Sequence, residues 1–202
     1  MEDIVQIRKC LAGQREAFEA LVTKYKNLVF SIALNTLSNK NDAADATQEV
    51  FLKAWANLSK YNAEFSFKTW IAKITVNHCI NVNQKNRRVA VWNEEEMEKM
   101  ASDIGCPEET LLIHERRDAV KKAVESLPEM YRIVIQLYHQ QSMTYEEICS
   151  ITGHPMSIVK NRIYRARKLL AEKLSAYQNR TSQATQAVDK EGKAWIAVKH
   201  GT

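Results

Sequence analysis

Residues 144–174 read TYEEICSITGHPMSIVKNRIYRARKLLAEKL. A helix of about two turns meets Gly153 at its end, a tight turn follows, and a longer basic helix begins near Pro155. With Val159 at the centre of that second helix, Ile163, Ala166 and Leu170 fall within about 40° of it at 100° per residue, so this stripe packs inward. The opposite side carries Asn161, Tyr164 and Lys168, with Lys160 and Arg165 on its shoulders. A face of this kind donates hydrogen bonds to bases and phosphates and fits a major groove. As a charge pattern alone it equally describes a solvated basic face. The short helix and glycine turn ahead of it favour the DNA reading. Lys160, Asn161 and Arg165 are then placed to read base edges, with phosphates met by Lys, Arg and backbone amides at helix starts.

Working upstream, Pro128 is expected to start a helix that continues through Val134, Leu137 and Tyr138, and Thr110 to Ser126 reads as another. From Gln14 to Leu37, Phe18, Leu21, Val22, Tyr25, Leu28, Val29 and Ile32 recur at three- and four-residue steps, one face of an amphipathic helix. A short helix precedes it. Asn41 is positioned to cap the next, whose first turn holds Asp42 and Asp45. Ser66 caps a further helix with Phe67, Trp70, Ile71, Ile74 and His78 along one side, running into QKNRR. No β-type alternation is sustained, so the predicted fold class is all-α: an N-terminal helical bundle and a C-terminal helix-turn-helix domain.

The whole chain has 202 residues, enough for two small domains, with 45% hydrophobic and 26% charged residues. Only five Gly and three Pro exclude a collagen, a linker-like chain and a turn-rich sandwich. The N-terminal MEDIVQIRKC lacks the apolar core of a signal peptide, and the run from Leu28 to Leu34 is far too short to span a bilayer. A soluble cytoplasmic protein with no membrane insertion is expected. Cys10, Cys79, Cys106 and Cys149 show no Cys-x-x-Cys spacing, and the adjacent His78 and Cys79 point about 100° apart on a helix, so neither metal nor cofactor is expected.

The formal charge of +5 is unevenly spread. Residues 1–90 sum to +5, 91–112 to −6, 113–177 to +4 and 178–202 to +2. Two basic blocks flanking VWNEEEMEKMASDIGCPEETLL predict two domains joined by an acidic linker. In the first block, Phe65, Phe67 and Trp70 lie close to Lys68, Lys73, Asn77, Asn81, Arg87 and Arg88, a mixture suited to unstacked single-stranded bases. Phe67, Trp70 and Ile71 at i, i+3 and i+4 also have core spacing, which favours Phe65, Lys73 and the two Asn residues over the Trp ring as contacts.

Three segments in order, DAADATQEVFLKAW, FSFKTWIAKITVN and LPEMYRIVIQLYHQQSMTYEEICSITGHPMSIVKNRIYRARKLL, resemble a bacterial RNA polymerase sigma factor of the extracytoplasmic-function (ECF) group. The resemblance spans roughly residues 10–175 and implies a non-enzymatic, alternative-sigma initiation factor. It implies that residues 1–90 are sigma region 2, binding the core polymerase clamp and melting and capturing the minus-ten element. It likewise implies that 113–177 are region 4, reading the minus-thirty-five element as duplex. By motif position, the clamp-binding helix runs from Asp42 to Trp55, with Asp45, Gln48, Glu49 and Phe51 as contacts. Capture of a flipped non-template base falls to Asn62 to Asn81, including Phe65, Ser66, Lys73, Asn77 and Asn81, with Arg87 and Arg88 beyond. Duplex reading falls to Lys160, Asn161 and Arg165, beside Tyr164, with Arg162, Arg167 and Lys168 on phosphate. Core RNA polymerase and promoter DNA are the implied partners, and an anti-sigma protein is a further one.

Two departures from the family pattern stand out. Ser142 occupies a place often held by Gly, and Ser157-Ile158 replaces a frequent Gly-Thr at the recognition-helix start, leaving Ser157 as a substitute cap. Glu94 to Glu96 fit either a segment lying in the polymerase cleft or a solvated linker. Residues 178–202 extend beyond the family core, ending in the apolar cluster at Trp195 and Ile196, with no implied role. The competing reading is a dimeric helix-turn-helix regulator of a palindromic operator. It lacks an apparent dimer seam, so the chain is expected to be monomeric when free. An enzyme would need a carboxylate cluster, an activated nucleophile or a metal set, and none is evident.

Overall fold

A computed structural model describes residues 2–90 and 118–175. Every regular element among them is helical: α1 (Glu2–Leu11), α2 (Glu16–Leu37), α3 (Lys40–Ala56), a 3₁₀ turn (Leu58–Lys60), α4 (Phe67–Ala90), α5 (118–125), α6 (Glu129–His139), α7 (Tyr145–Thr152) and α8 (156–175). Residues 2–90 and 128–164 belong to one compact unit, while 118–127 and 165–175 fall in a second. The acidic stretch 91–112, Thr110 to the end of 117, and the extension 178–202 lie outside the described residues.

The α2 periodicity produces the main core of the first unit. Leu21, Tyr25 and Val29 on α2 pack with Val50 and Ala54 on α3 and Phe67 and Ile71 on α4, all buried. Burying each large apolar side chain contributes about 1.5–3 kcal/mol. Deeper along α2, Ala33 meets Ala43, Ala46 and Cys79, small side chains that let three helices approach closely. Burial pushes the Cys79 thiol up to about 12. It therefore stays a neutral packing group, as does buried Cys10. Asp3 ties α1 to α2, accepting from Lys24 Nζ and Tyr25 Oη, each at 2.6 Å. Burial opposes charge on Asp3, but those two hydrogen bonds outweigh it and hold the carboxyl below its ordinary value.

The helix ends show where local chemistry overrides a first reading. Asn39, rather than Asn41, caps α3: its side chain accepts from the backbone N–H of Asn41 at 2.8 Å and of Asp42 at 3.2 Å. Ser66 caps α4 as expected, accepting from Thr69 N at 3.1 Å. At α7, Thr144 and Glu147 form a reciprocal capping box, and Gly153 closes the helix at φ 68°. Ser142 adopts φ 51°, so it takes the left-handed turn that glycine would adopt without strain. Ser142→Gly relieves about 1–2 kcal/mol of left-handed strain against about 0.4–1 kcal/mol of added unfolded-state entropy, so a net gain of about 0.5–1 kcal/mol is expected, read as a raised midpoint in urea unfolding. An unchanged or lower midpoint would contradict strain at this turn.

α6 and α7 lie on α2 and α4 within the first unit, and the seam is partly polar. Gln136, only 2% exposed, donates through Nε2 to the Ser31 carbonyl at 2.9 Å. Lys68 Nζ donates to the Gln141 carbonyl at 2.6 Å, and Thr69 Oγ1 donates to Glu147 Oε1 at 2.9 Å. Asn83 Nδ2 donates to Glu129 Oε1 at 2.6 Å. The buried Gln136 and Thr69 side chains thus exchange water for a partner, which avoids the penalty of an unmade bond.

Candidate nucleic-acid interface

α8 divides as its periodicity predicts. Val159, Ile163 and Ala166 are buried and Leu170 is half-buried, while Lys160, Asn161, Tyr164, Arg165, Arg167 and Lys168 are exposed. Arg162 is half-buried, and Tyr164 is 69% exposed. α7 supports this face: Lys160 Nζ lies 5.9 Å from the Tyr145 ring centroid, and that ring packs on Tyr138 at 5.1 Å. The cation is steered over an aromatic face rather than left to swing freely. Ser157 does not act as the cap; it sits inside the first turn, where the Pro155 carbonyl accepts from Ile158 and Val159.

A second polar surface is concave. A cleft of about 380 Å³ is lined by Lys53 on α3, Asn57 and Lys60 beside the 3₁₀ turn, and Trp70, Ile74, Asn77, His78 and Asn81 on α4. It offers amides, two ammonium groups, an imidazole and an indole, and, among the described residues, no carboxylate. That set suits a base with its attached phosphate, the ring stacking and the cations meeting the anion. Trp70 is braced edge-on by Tyr61 at 5.5 Å. The adjoining loop is shaped by its own bonds, since Tyr61 Oη donates to the Phe65 carbonyl at 2.6 Å and Asn62 Oδ1 accepts from Glu64 N at 3.0 Å.

Asn77 and Asn81 are brought together here as expected. Of their neighbours, Trp70 lines the cleft, whereas Phe65 and Lys73 are exposed outside its lining and Ser66 serves as a cap. Arg88 is exposed, and the Arg87 side chain lies outside the described residues. Lys53, Asn57, Lys60 and His78 were missed as cleft residues. The first three lie on α3 and at the 3₁₀ turn that follows it, 17 or more positions from Asn77, so one-helix spacing does not signal them.

The third surface is on α3. Asp45, Gln48 and Glu49 are exposed on one side, with Asp42 half-buried near the start. Phe51 is corrected from a contact to a core residue: it is 8% exposed and sits edge-on to Phe18 at 6.4 Å. Its neighbour Leu52 instead stands 65% exposed, with Trp55 38% exposed beyond it. Exposed apolar side chains flanked by Asp45, Gln48 and Glu49 have the anatomy of a protein-binding patch, with an apolar centre and a polar rim. Among the described residues no group of three His, Cys, Asp or Glu side chains could hold a metal ion, and no helix is long and apolar enough to cross a membrane.

Comparison with known proteins bears on all three surfaces. Residues 21–89 match the family model Sigma-70 region 2, and residues 117–170 match Sigma-70, region 4. The ECF RNA polymerase sigma-E factor of Escherichia coli (strain K12) is 32% identical over 182 residues, covering 86% of this chain and 95% of that protein. Its Haemophilus influenzae counterpart is 29% identical over 184 residues, covering 86% and 96%. The sigma factor RpoE of Bartonella quintana, solved with the anti-sigma factor NepR, aligns with TM-score 0.64 at 23% identity, over 78% of this chain and 96% of that one. CnrH, solved with the cytosolic domain of CnrY, aligns with TM-score 0.64 at 21% identity over 87% and 99%. The helical fold with regions 2 and 4 in order defines a transcription initiation factor of the sigma-70 type. Within that type the chain belongs to the ECF sigma factors, which direct RNA polymerase to promoters and are not enzymes.

Proposed function

We propose that the three surfaces divide the work of promoter recognition as follows. The α3 face, centred on Leu52 and Trp55 with Asp45, Gln48 and Glu49 at its rim, binds core RNA polymerase. The cleft between α3, the 3₁₀ turn and α4 holds an unstacked base of the minus-ten non-template strand. The exposed face of α8 reads the minus-thirty-five element as duplex. In this division residues 1–90 act as region 2, 113–177 as region 4 and 91–112 as the connection between them. The observation that carries it is the cleft: a braced indole, three Asn amides and two lysines, with no carboxylate among the described residues that line it, on the segment matched to region 2.

The energetics favour capture over catalysis. Extruding a base costs a few kcal/mol, and stacking one on an aromatic side chain returns about 1–3 kcal/mol. Hydrogen bonds from Asn77 and Asn81 and attraction to Lys53 and Lys60 add to that return, so the cleft lowers the free energy of opened promoter DNA while polymerase makes the RNA. Asn77→Ala is expected to slow promoter opening, followed by permanganate reactivity of unpaired thymines, about 3- to 10-fold while leaving duplex binding unchanged. Lost duplex affinity with normal opening would contradict the single-strand role.

The site of action is the cytoplasm, where polymerase and DNA reside. An anti-sigma partner is also proposed, on the strength of the shared fold with RpoE, which was solved with the anti-sigma factor NepR bound. Pull-down of the full chain with the products of neighbouring genes tests it, and recovery of core polymerase alone would count against it.

A further inference from the structure

His78 meets the cleft in a fixed chemical form. Its Nδ1 lies 2.6 Å from Lys53 Nζ. An ammonium group offers three donors and no acceptor, so the imidazole nitrogen in this pair must accept. Nδ1 is therefore unprotonated, and the neutral ring carries its hydrogen on Nε2. A lysine on α3 thus selects the tautomer of a histidine on α4. Burial and the positive charge of Lys53 favour the neutral ring, with Glu49 on α3 opposing them. Lys60, from the 3₁₀ turn, adds a further positive group at the same cleft.

The other polar walls do not share this property. Asn77 and Asn81 each present both a donor and an acceptor and can exchange them by turning the amide, while Asn57 Nδ2 is already committed to the Lys53 carbonyl at 2.9 Å. Lys60 is a flexible charge suited to phosphate, while Lys53 is committed to His78 Nδ1. The His78 Nε2–H remains a donor for as long as Lys53 holds the other nitrogen.

We propose that His78 is a specificity-determining residue for the captured strand, its Nε2–H donating to an acceptor on the edge of one unstacked base, with Lys53 as the positioning residue. This rests on the single-strand reading of the cleft given above. The ligand class is single-stranded DNA carrying a base acceptor at one position, discriminated from a base that presents a donor there. A mismatched base would leave two donors facing each other in a partly dry cleft, which is where hydrogen-bond readout discriminates best.

The test uses the full chain assembled with core polymerase and a pool of single-stranded DNA randomised over eight positions between constant ends, selected for binding and sequenced. Wild type and His78→Gln, which keeps an acceptor toward Lys53 and a donor beyond it, are expected to share a base preference at one position. His78→Leu is expected to lose that preference by about 3- to 10-fold and keep the others. A uniform loss at every position, or preferences unchanged in His78→Leu, overturns the assignment. Asn77→Ala run in parallel separates the two readings. If it weakens binding of the pool while His78→Leu leaves preferences intact, only the histidine role fails. If neither variant alters binding or preference, the single-strand reading of the cleft fails with it.

Discussion

Leu52→Glu is expected to weaken binding to core RNA polymerase by at least about 30-fold while the protein stays folded. The expected size follows from placing a charge at the apolar centre of an interface, where hot-spot losses begin at about 2 kcal/mol. Leu52 is 65% exposed, so its replacement removes little from the core, and surface changes of that kind alter stability by about 0.5 kcal/mol or less. Trp55→Ala is a less clean probe because its ring packs on Phe18 at 5.0 Å and its loss also disturbs α2. Binding is measured by competition with a labelled sigma factor for core polymerase, with thermal unfolding as the control. Undiminished binding by a folded Leu52→Glu protein would move the polymerase contact away from this face of α3.

Arg165→Ala is expected to cut transcription from a matched promoter by about 5- to 150-fold and leave core polymerase binding intact. One bidentate base contact is worth about 1–3 kcal/mol of discrimination, and Arg165 is exposed on the α8 face with no role in the core. Its loss should relax preference at one duplex position. Lys168→Ala, by contrast, should weaken binding evenly across sequences and reduce the salt slope by about one. The pair therefore separates base reading from phosphate contact on the same helix. Equal loss of polymerase and promoter binding in Arg165→Ala would mean that the residue supports the fold.

Much of this architecture is legible in the chain because it depends on short-range rules. The three- and four-residue spacing of Leu21, Tyr25 and Val29 sets the buried side of α2, and Gly153 ends α7 at a positive φ that few other residues tolerate. The inward stripe of α8 follows from the same period. Motif position and local pattern decide less where two nearby residues compete for one role. Phe51 and Leu52 are both apolar, and only packing against Phe18 decides which is buried. Asn39 and Asn41 are both good caps, and the backbone geometry selects the first.

The cleft was half legible for a related reason. Asn77 and Asn81 stand one turn apart on a single helix, so they can be found by counting. Lys53 and His78 are separated by 25 positions and meet only when α3 packs beside α4, and no periodic signal connects them. Trp70 has core spacing and also lines the cleft, so a half-buried aromatic packs on one side and faces the cavity on the other.

The central claim is that one chain joins polymerase to promoter DNA through separate surfaces. Its most direct test is start-site mapping of RNA made by core polymerase on genomic DNA fragments, with and without the purified protein, after checking that the two co-elute. The account predicts co-elution and new, discrete start sites that depend on the protein. A chain that ignored core polymerase yet shifted duplex DNA as a dimer would contradict it.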